Sequence, residues 1–136
     1  MLQLLLFGVP FLLLDQWSKA IVRSHVPQPC VYGSMLQIRF AINQRDLYKR
    51  PAVRAGLLGL WLVAAGSVVA LHSSGIWFQS SSAMAGLGCA LGGAAGNLLD
   101  ISRRRHIVDF IDFGWWPVFN FADVGIVGGL TLAFLS

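Results

Sequence analysis

Three aspartates lie in or beside strongly apolar segments of this chain, where a charged side chain is costly. Asp15 follows the first apolar run, Asp109 lies inside the apolar stretch 107–111, and Asp123 lies near the start of the apolar segment 118–135. A carboxylate at the centre of a bilayer costs roughly 2.5–3.5 kcal/mol on insertion scales. Residues that carry this cost usually have either a buried partner or a function.

Two aspartates that converge in a low-dielectric cleft can hydrolyse a peptide bond without a metal or a covalent intermediate. They share one proton, because both cannot ionise at about 3 Å separation. The ionised carboxylate takes a proton from water, while its protonated partner hydrogen-bonds the attacked carbonyl. Asn97 and Asp100 are three residues apart, as are Asn120 and Asp123, so each pair shares a helical face. Spacing alone leaves several aspartate pairings open.

The same acids are also typical of helix packing and of contacts at the membrane interface. Asp15 and Lys19 are four residues apart, which predicts an ion pair within the first helix. Asp112 is predicted to cap the helix that begins after the turn 114–117. The three consecutive arginines at 103–105 predict a contact with lipid headgroups.

The composition is that of a membrane protein. Of the 136 residues, 56% are hydrophobic and 12% are charged, and the mean hydropathy is +0.67. Soluble domains carry about 25% charged and 45–50% apolar residues, so a soluble domain is excluded, and so is a disordered chain. The net charge of +4 comes from basic clusters beside apolar runs, which favours membrane lipids over nucleic acid as partners. Cys30 and Cys89 lie in unlike contexts and predict neither a disulfide framework nor a metal site.

Four apolar runs predict an all-α membrane protein with four transmembrane helices in one domain, residues 1–136. The runs cover residues 2–22, 55–71, 83–99 and 118–135. The third run is rich in Gly and Ala, which predicts close approach between helices. Pro27 and Pro29 end the first helix, and the partly alternating segment 35–42 predicts a short strand or hairpin at the membrane surface between helices 1 and 2.

The polar residues of the chain predict a working face at one end of the bundle. With four spans, the connections between helices 1 and 2 and between helices 3 and 4 lie on the same side. The polar residues that fall there are Asp15, Asn43, Asp100, Asp109, Asp112, Asn120 and Asp123. The opposite side holds the two ends of the chain and the Ser-rich segment 73–82, with few polar groups that could do chemistry.

Four motifs resemble those of the signal peptidase II family, the bacterial lipoprotein signal peptidases. They are GGAAGNLLD at 92–100, IVDFIDF at 107–113, WPVFNFAD at 116–123 and DQWSK at 15–19. The corresponding family patterns are roughly GGAxGNLxDR, VVDFID, FNxAD and DQx[ST]K. The resemblance covers essentially the whole chain and is densest in its second half.

The resemblance implies roles for individual residues. Asp109 and Asp123 match the catalytic aspartates of a four-span aspartic protease, with the choice of general base left open. The positions implied to shape the site or bind substrate are Asn97, Asp100, Asn120, Asn43, Asp15 and Lys19. The family's arginine after the GNLxD aspartate is Ile101 here, and Arg103, two positions on, is the candidate replacement.

The resemblance also implies an activity. The expected enzyme is an aspartic endopeptidase that cleaves diacylglyceryl-modified prolipoproteins just before the lipidated cysteine, with no metal or cofactor. We expect a multi-pass monomer in the bacterial inner membrane, in contact with lipids, with its active site facing the outer side. The Lys and Arg count opposes that orientation, because it places the basic connections in the cytoplasm.

Two alternatives remain at this stage. One is a catalytically impaired relative that binds lipidated or signal-like helices without cleaving them. It is favoured by Ile101 and by the segment 44–47, which departs from the family's Gly-Ala-Ala-Phe-like sequence. The other is a small ion- or proton-handling membrane protein, although the chain lacks the repeats and discontinuous helices that mark such transporters.

Overall fold

A computed structural model describes residues 1–25, 30–32, 36–43 and 45–136 of the chain. The elements in order are α1 (Leu2–His25), β1 (Cys30–Tyr32), β2 (Leu36–Asn43), a 3₁₀ turn (Asp46–Lys49), α2 (Pro51–Ser73), α3 (Ser81–Arg104), β3 (Ile107–Asp112) and α4 (Phe121–Leu135). Within the described ranges, α1, α2 and α3 are long and apolar enough to cross a membrane. The predicted all-α membrane fold is therefore confirmed, with α4 as a fourth, shorter apolar helix of 15 residues.

Glycines on α3 bring two neighbouring helices into close contact. A Cβ on Gly92 would collide with the backbone of Gly8 in α1, and a Cβ on Gly86 would collide with the backbone of Gly129 in α4. The prediction of close approach from the Gly- and Ala-rich run is confirmed. By contrast, α2 meets α3 less extensively, and among the described residues Val68 is the one buried residue on α2.

The predicted surface hairpin is part of a three-stranded antiparallel sheet. The strand order is β1–β2–β3, with Ala41 of β2 opposite Asp109 of β3. The first residue of the predicted strand, Met35, lies outside the described residues, as do Pro27 and Pro29. The strand β3 was not predicted from the sequence. Val108, Asp109 and Phe110 are all buried, so the alternation of buried and exposed residues that marks a strand is not visible there.

The start of α4 is fixed by a reciprocal cap. Asn120 is the N-cap residue, and its Oδ1 accepts a hydrogen bond from the backbone N–H of Asp123 at 3.0 Å. In return, Asp123 Oδ2 accepts from the backbone N–H of Asn120 at 3.1 Å. This capping box satisfies donors that the first helical turn would otherwise leave unpaired. It also explains why α4 begins at Phe121, three residues after the predicted start of the apolar segment.

The prediction that Asp112 caps the fourth helix is wrong. Asp112 instead accepts a hydrogen bond from the backbone N–H of Gly114 at 2.7 Å and forms an ion pair with Arg39 of β2 at 3.1 Å. It therefore holds the turn after β3 and ties that turn to the neighbouring strand.

Candidate active site

Asn120 joins the two aspartates that the sequence motifs single out. Its side-chain Nδ2 donates to Asp109 Oδ1 at 2.8 Å, while its backbone N–H donates to Asp123 Oδ2 at 3.1 Å. Asp109 comes from β3 and Asp123 from the first turn of α4, so the site forms where the sheet meets the helix bundle. Spacing left several aspartate pairings open. Asp109 with Asp123 is the pairing that matches the family motifs, and in the structure both side chains accept a hydrogen bond from Asn120.

Asp109 occupies an environment that favours its protonated form. The side chain is buried in the middle of β3, opposite Ala41. Burial, with a smaller contribution from the negative charge of Asp123, raises the pKa of Asp109 to about 6, against the lowering effect of hydrogen bonds from Asn120 and Asn43. A carboxyl group with this pKa keeps its proton to a higher pH than an ordinary aspartate, which favours it as the protonated member of a proton-sharing pair.

Asp123 is half-buried and accepts hydrogen bonds on both oxygens. Asn97 Nδ2 donates to its Oδ1 at 2.9 Å, and the Asn120 backbone donates to its Oδ2. Both donors are matched by the ionised carboxylate, which only accepts. The group also lies at the N-terminus of α4, where the helix dipole favours negative charge.

The orientation of the Asn97 amide follows from its neighbours. Its Oδ1 accepts from Lys19 Nζ at 3.0 Å and from Asn120 Nδ2 at 3.1 Å. With two donors on its oxygen, the amide must direct its Nδ2 toward Asp123. Lys19 therefore influences the site through Asn97 without touching either candidate catalytic aspartate in the described contacts.

A buried charge cluster stands behind Asn97. Lys19 Nζ lies 2.8 Å from Asp15 Oδ2 and 2.8 Å from Asp100 Oδ2, and all three side chains have no exposed surface. The predicted Asp15–Lys19 ion pair is confirmed and extends to α3. Asp15 Oδ1 also accepts from the backbone N–H of Ala122 at 2.9 Å, which fixes α1 against the first turn of α4.

Two polar residues join this cluster that the sequence analysis did not assign to the site. Gln16 donates to the Gly96 carbonyl at 3.1 Å and to Asp100 Oδ1 at 3.2 Å. Arg104 Nη1 forms an ion pair with Asp100 Oδ1. Arg104 is four residues after Asp100 on α3, so an i, i+4 test would have found it. Arg103, the candidate replacement for the family's arginine, is exposed, and it is Arg104 that reaches Asp100.

Two apolar clefts open beside the polar groups of the site, one at Asn97 and one at Asp123. One, of about 330 Å³, lies between α2 and α3, with Asn97 among its otherwise apolar lining residues. Leu60, Trp61, Ala64, Leu91, Ala94 and Leu98 form much of that lining. The other, of about 310 Å³, runs along α4 from Asp123 and is bordered by Trp116 and Phe119. Within the described ranges, no group of three His, Cys, Asp or Glu side chains is arranged as metal ligands would be.

The chain is similar to a known protein family over most of its length. A family model described as signal peptidase (SPase) II matches residues 8–136. The lipoprotein signal peptidase of Rhodococcus jostii is 48% identical over 106 residues, which is 74% of this chain and 52% of that protein. The one from Mycobacterium tuberculosis strain H37Rv is 47% identical over 79 residues, 54% of this chain and 39% of that protein. The chain thus spans about half the length of the curated relatives it matches.

Two solved structures of bacterial membrane enzymes share the fold. One superposes with a TM-score of 0.74 at 21% identity, covering 97% of this chain and 85% of the other. The second gives a TM-score of 0.70 at 20% identity, covering 97% and 90%. Together with the match of the family model over nearly the whole sequence, the site geometry leads to one assignment. The chain belongs to the signal peptidase II family.

Proposed function

We propose that the chain is an aspartic endopeptidase that removes the signal peptide from prolipoproteins already carrying diacylglyceryl on their cysteine, cleaving just before that cysteine. The observation that carries this proposal is the bridge that Asn120 makes between Asp109 and Asp123. Two carboxyl groups held by one residue, one of them with a raised pKa, match what metal-free peptide hydrolysis requires.

The environments of the two carboxyl groups suggest how they divide the reaction. Asp109, with its pKa of about 6, carries the shared proton and donates a hydrogen bond to the scissile carbonyl. Asp123, which accepts two hydrogen bonds at the start of α4, acts as the base that takes a proton from the attacking water. The tetrahedral intermediate then collapses as that proton passes to the amine of the lipidated cysteine.

The apolar clefts supply sites for the lipid-soluble parts of such a substrate. The α2–α3 cleft has an almost wholly apolar lining and ends beside Asn97, one hydrogen bond from Asp123. The cleft along α4 begins at Asp123 itself. A signal helix and an acyl chain placed in these clefts would both lie next to the aspartate pair, which positions the bond between them for attack.

The proposed location is the bacterial inner membrane, with a monomer whose active site faces the outer side. The count of basic residues in the connections between helices 1 and 2 and between helices 3 and 4 favours the opposite orientation. The same residues are also suited to contact with lipid phosphates. Cysteine-accessibility labelling at positions 45–50, in a variant without Cys30 and Cys89, tests the orientation. Labelling from the outer side is expected, and labelling from the cytoplasm alone would overturn it.

The activity is tested by a gel-shift cleavage assay on a diacylglyceryl-modified prolipoprotein with the purified protein in lipid. Asp109→Asn and Asp123→Asn should yield no mature product. Asp46→Asn is the matched control, because Asp46 is an exposed aspartate that pairs with Lys49. Product from wild type and Asp46→Asn alone supports the proposal.

A second candidate is a relative that binds the same substrate without cleaving it. Ile101 and the altered segment 44–47 favour this alternative, because both depart from the family patterns. No cleavage by wild type, with the substrate still co-purifying, would establish the binding protein and reject the peptidase.

A further inference from the structure

The buried cluster behind Asn97 is electrically balanced only when Arg104 is counted. Asp15 and Asp100 supply two carboxylates and Lys19 supplies one ammonium group, all without exposed surface. Arg104, which is partly exposed and pairs with Asp100 Oδ1, adds the second cation. An uncompensated buried charge is strongly unfavourable, so removal of Arg104 must be compensated by protonation of one of the two carboxylates or by movement of Lys19.

Lys19 Nζ donates hydrogen bonds to Asp15 and Asn97 and forms an ion pair with Asp100. It contacts Asp15 Oδ2 at 2.8 Å, Asp100 Oδ2 at 2.8 Å and Asn97 Oδ1 at 3.0 Å. Without Arg104, Lys19 would be the remaining cation among the described contacts of Asp100. The ammonium group would then be drawn toward Asp100 and away from the neutral amide of Asn97.

The contact between Lys19 and Asn97 determines that the Asn97 amide presents its Nδ2 donor to Asp123. While Lys19 holds Asn97 Oδ1, the amide must donate through Nδ2 to Asp123 Oδ1 at 2.9 Å. If that hold weakens, Asn120 Nδ2 at 3.1 Å is the remaining donor to Asn97 Oδ1 among the described contacts, so the amide is held less firmly and its hydrogen bond to Asp123 weakens. The consequence of Arg104 thus reaches Asp123 through Asp100, Lys19 and Asn97.

The neighbouring residues do not offer the same contact. Ile101 is buried and lines the α2–α3 cleft. Arg103 is exposed, and Arg105 caps the helix in the left-handed region with φ of 63°. Arg104 is the member of the arginine run whose i, i+4 position on α3 directs it to Asp100.

We infer that Arg104 is a positioning residue for the site, which keeps Lys19 on Asn97 and thereby keeps the Asn97 amide directed at Asp123. Its effect on rate rests on the proposed peptidase function, whereas its effect on the Asn97 amide does not. Arg104 itself touches no candidate catalytic atom in the described contacts.

The kinetic test compares arginine variants in the cleavage assay. Arg104→Gln is expected to lower kcat by about tenfold or more with KM changed less than about twofold, because an orienting contact is lost rather than a substrate contact. Arg104→Lys should retain most of the rate, since it keeps the charge. Arg105→Gln is the matched control, removing an equal charge from an exposed position in the same run.

A double variant separates charge balance from general disruption. Asp100→Asn combined with Arg104→Gln leaves one carboxylate and one ammonium group, a balanced cluster, and should have a kcat at least about threefold higher than that of Arg104→Gln alone. If the double variant is as slow as Arg104→Gln, or if Arg103→Gln is the slow variant and Arg104→Gln is not, the inference is wrong.

A measurement on the amide itself keeps this inference distinguishable from the proposed function. In ¹⁵N-asparagine-labelled protein, the side-chain NH₂ resonance of Asn97 should shift in Arg104→Gln, stay in place in Arg105→Gln and return in the double variant. That result with an inactive wild type would reject the peptidase and retain the role of Arg104. An active wild type whose Asn97 resonance is unmoved in Arg104→Gln would reject the role of Arg104 alone.

Discussion

α3 contacts α1 and α4 through glycines, but it meets α2 across an open apolar cleft. On the first side, Gly92 lies against the backbone of Gly8 and Gly86 lies against that of Gly129. On the second side, Trp61 donates to the carbonyl of Leu91 at 3.0 Å, and a cleft of about 330 Å³ lies around that contact. We refer to these as the closed side and the open side of α3.

The two sides suit different tasks. The closed side carries the groups that must be held in place, because Asp15, Lys19 and Asp123 all come from α1 and α4 and converge on α3. The open side has apolar surface to offer but few fixed polar groups, which suits a lipid-soluble substrate. A rigid site beside a loosely packed helix allows precise chemistry next to a substrate of variable sequence.

The largest expected effect comes from removing the cation of the closed side. Lys19→Met leaves Asp15 and Asp100 buried with too little positive charge, and breaking such a pair costs about 3–5 kcal/mol. The free energy of unfolding in mixed micelles should fall by that amount, and cleavage should be lost. Lys49→Met, which breaks an exposed ion pair, is the control and should change stability by less than about 1 kcal/mol. Equal effects from the two variants would contradict the account.

The pH dependence of stability should report the raised pKa of Asp109. The ordinary value is 3.8 and the folded value is about 6, so the folded protein binds more protons between these values. The free energy of unfolding therefore falls as pH rises through this window, by at most about 3 kcal/mol. Asp109→Asn should flatten this part of the profile, and an unchanged slope in that variant would remove Asp109 as its source.

A matched pair of glycine variants compares the two sides directly. Gly92→Ala places a Cβ against the Gly8 carbonyl and should destabilise the protein by about 1–3 kcal/mol. Gly59→Ala on α2 meets nothing within 4 Å and should be neutral or stabilising by up to about 1 kcal/mol. The thermal unfolding temperatures of the two variants are compared. If Gly59→Ala lowered the temperature more than Gly92→Ala, the close packing of α3 against α1 would be contradicted.

The smallest expected effect comes from filling the open side. Ala64→Leu adds volume to the α2–α3 cleft from α2, a helix that carries none of the candidate site residues. We expect a rise in KM of up to about tenfold with stability nearly unchanged, since the change affects substrate binding rather than packing. Ala70→Leu, exposed on the same helix but not lining the cleft, is the control. A fall in kcat with unchanged KM would show that the cleft does not receive substrate.

The helices and the residues that gather at the candidate site were predictable from the sequence, and the reasons are physical. Long apolar runs mark helices whatever they pack against, and Asp15 with Lys19 is a local pair that helical spacing reveals. The strand β3 was missed because burial on both faces hides its alternation. The cap was misassigned to Asp112 because Asp112 and Asn120 are both suitable capping residues, and only the pairing of Phe119 with Ile111 places Asn120 at the helix start.

The arginine that pairs with Asp100 was also misassigned from the sequence. Arg103 was chosen for its closeness in sequence to Ile101, but the direction of a side chain at a helix end depends on the last turn. α3 runs to Arg104 and ends in a left-handed residue, Arg105, which leaves Arg104 on the face of Asp100. Helical spacing from Asp100 indicates Arg104 at i+4 but also allows Arg103 at i+3, so the structure is needed to choose between them.

The most direct test of the central claim is whether Asp109 and Asp123 act as one unit. Cleavage rates of Asp109→Asn, Asp123→Asn and the double variant should be measured on the same diacylated substrate, with folding checked by thermal unfolding. The account predicts that each single variant is as inactive as the double variant, because neither carboxyl group can perform its step alone. Folded single variants that retain part of the rate, with losses that multiply in the double variant, would contradict it.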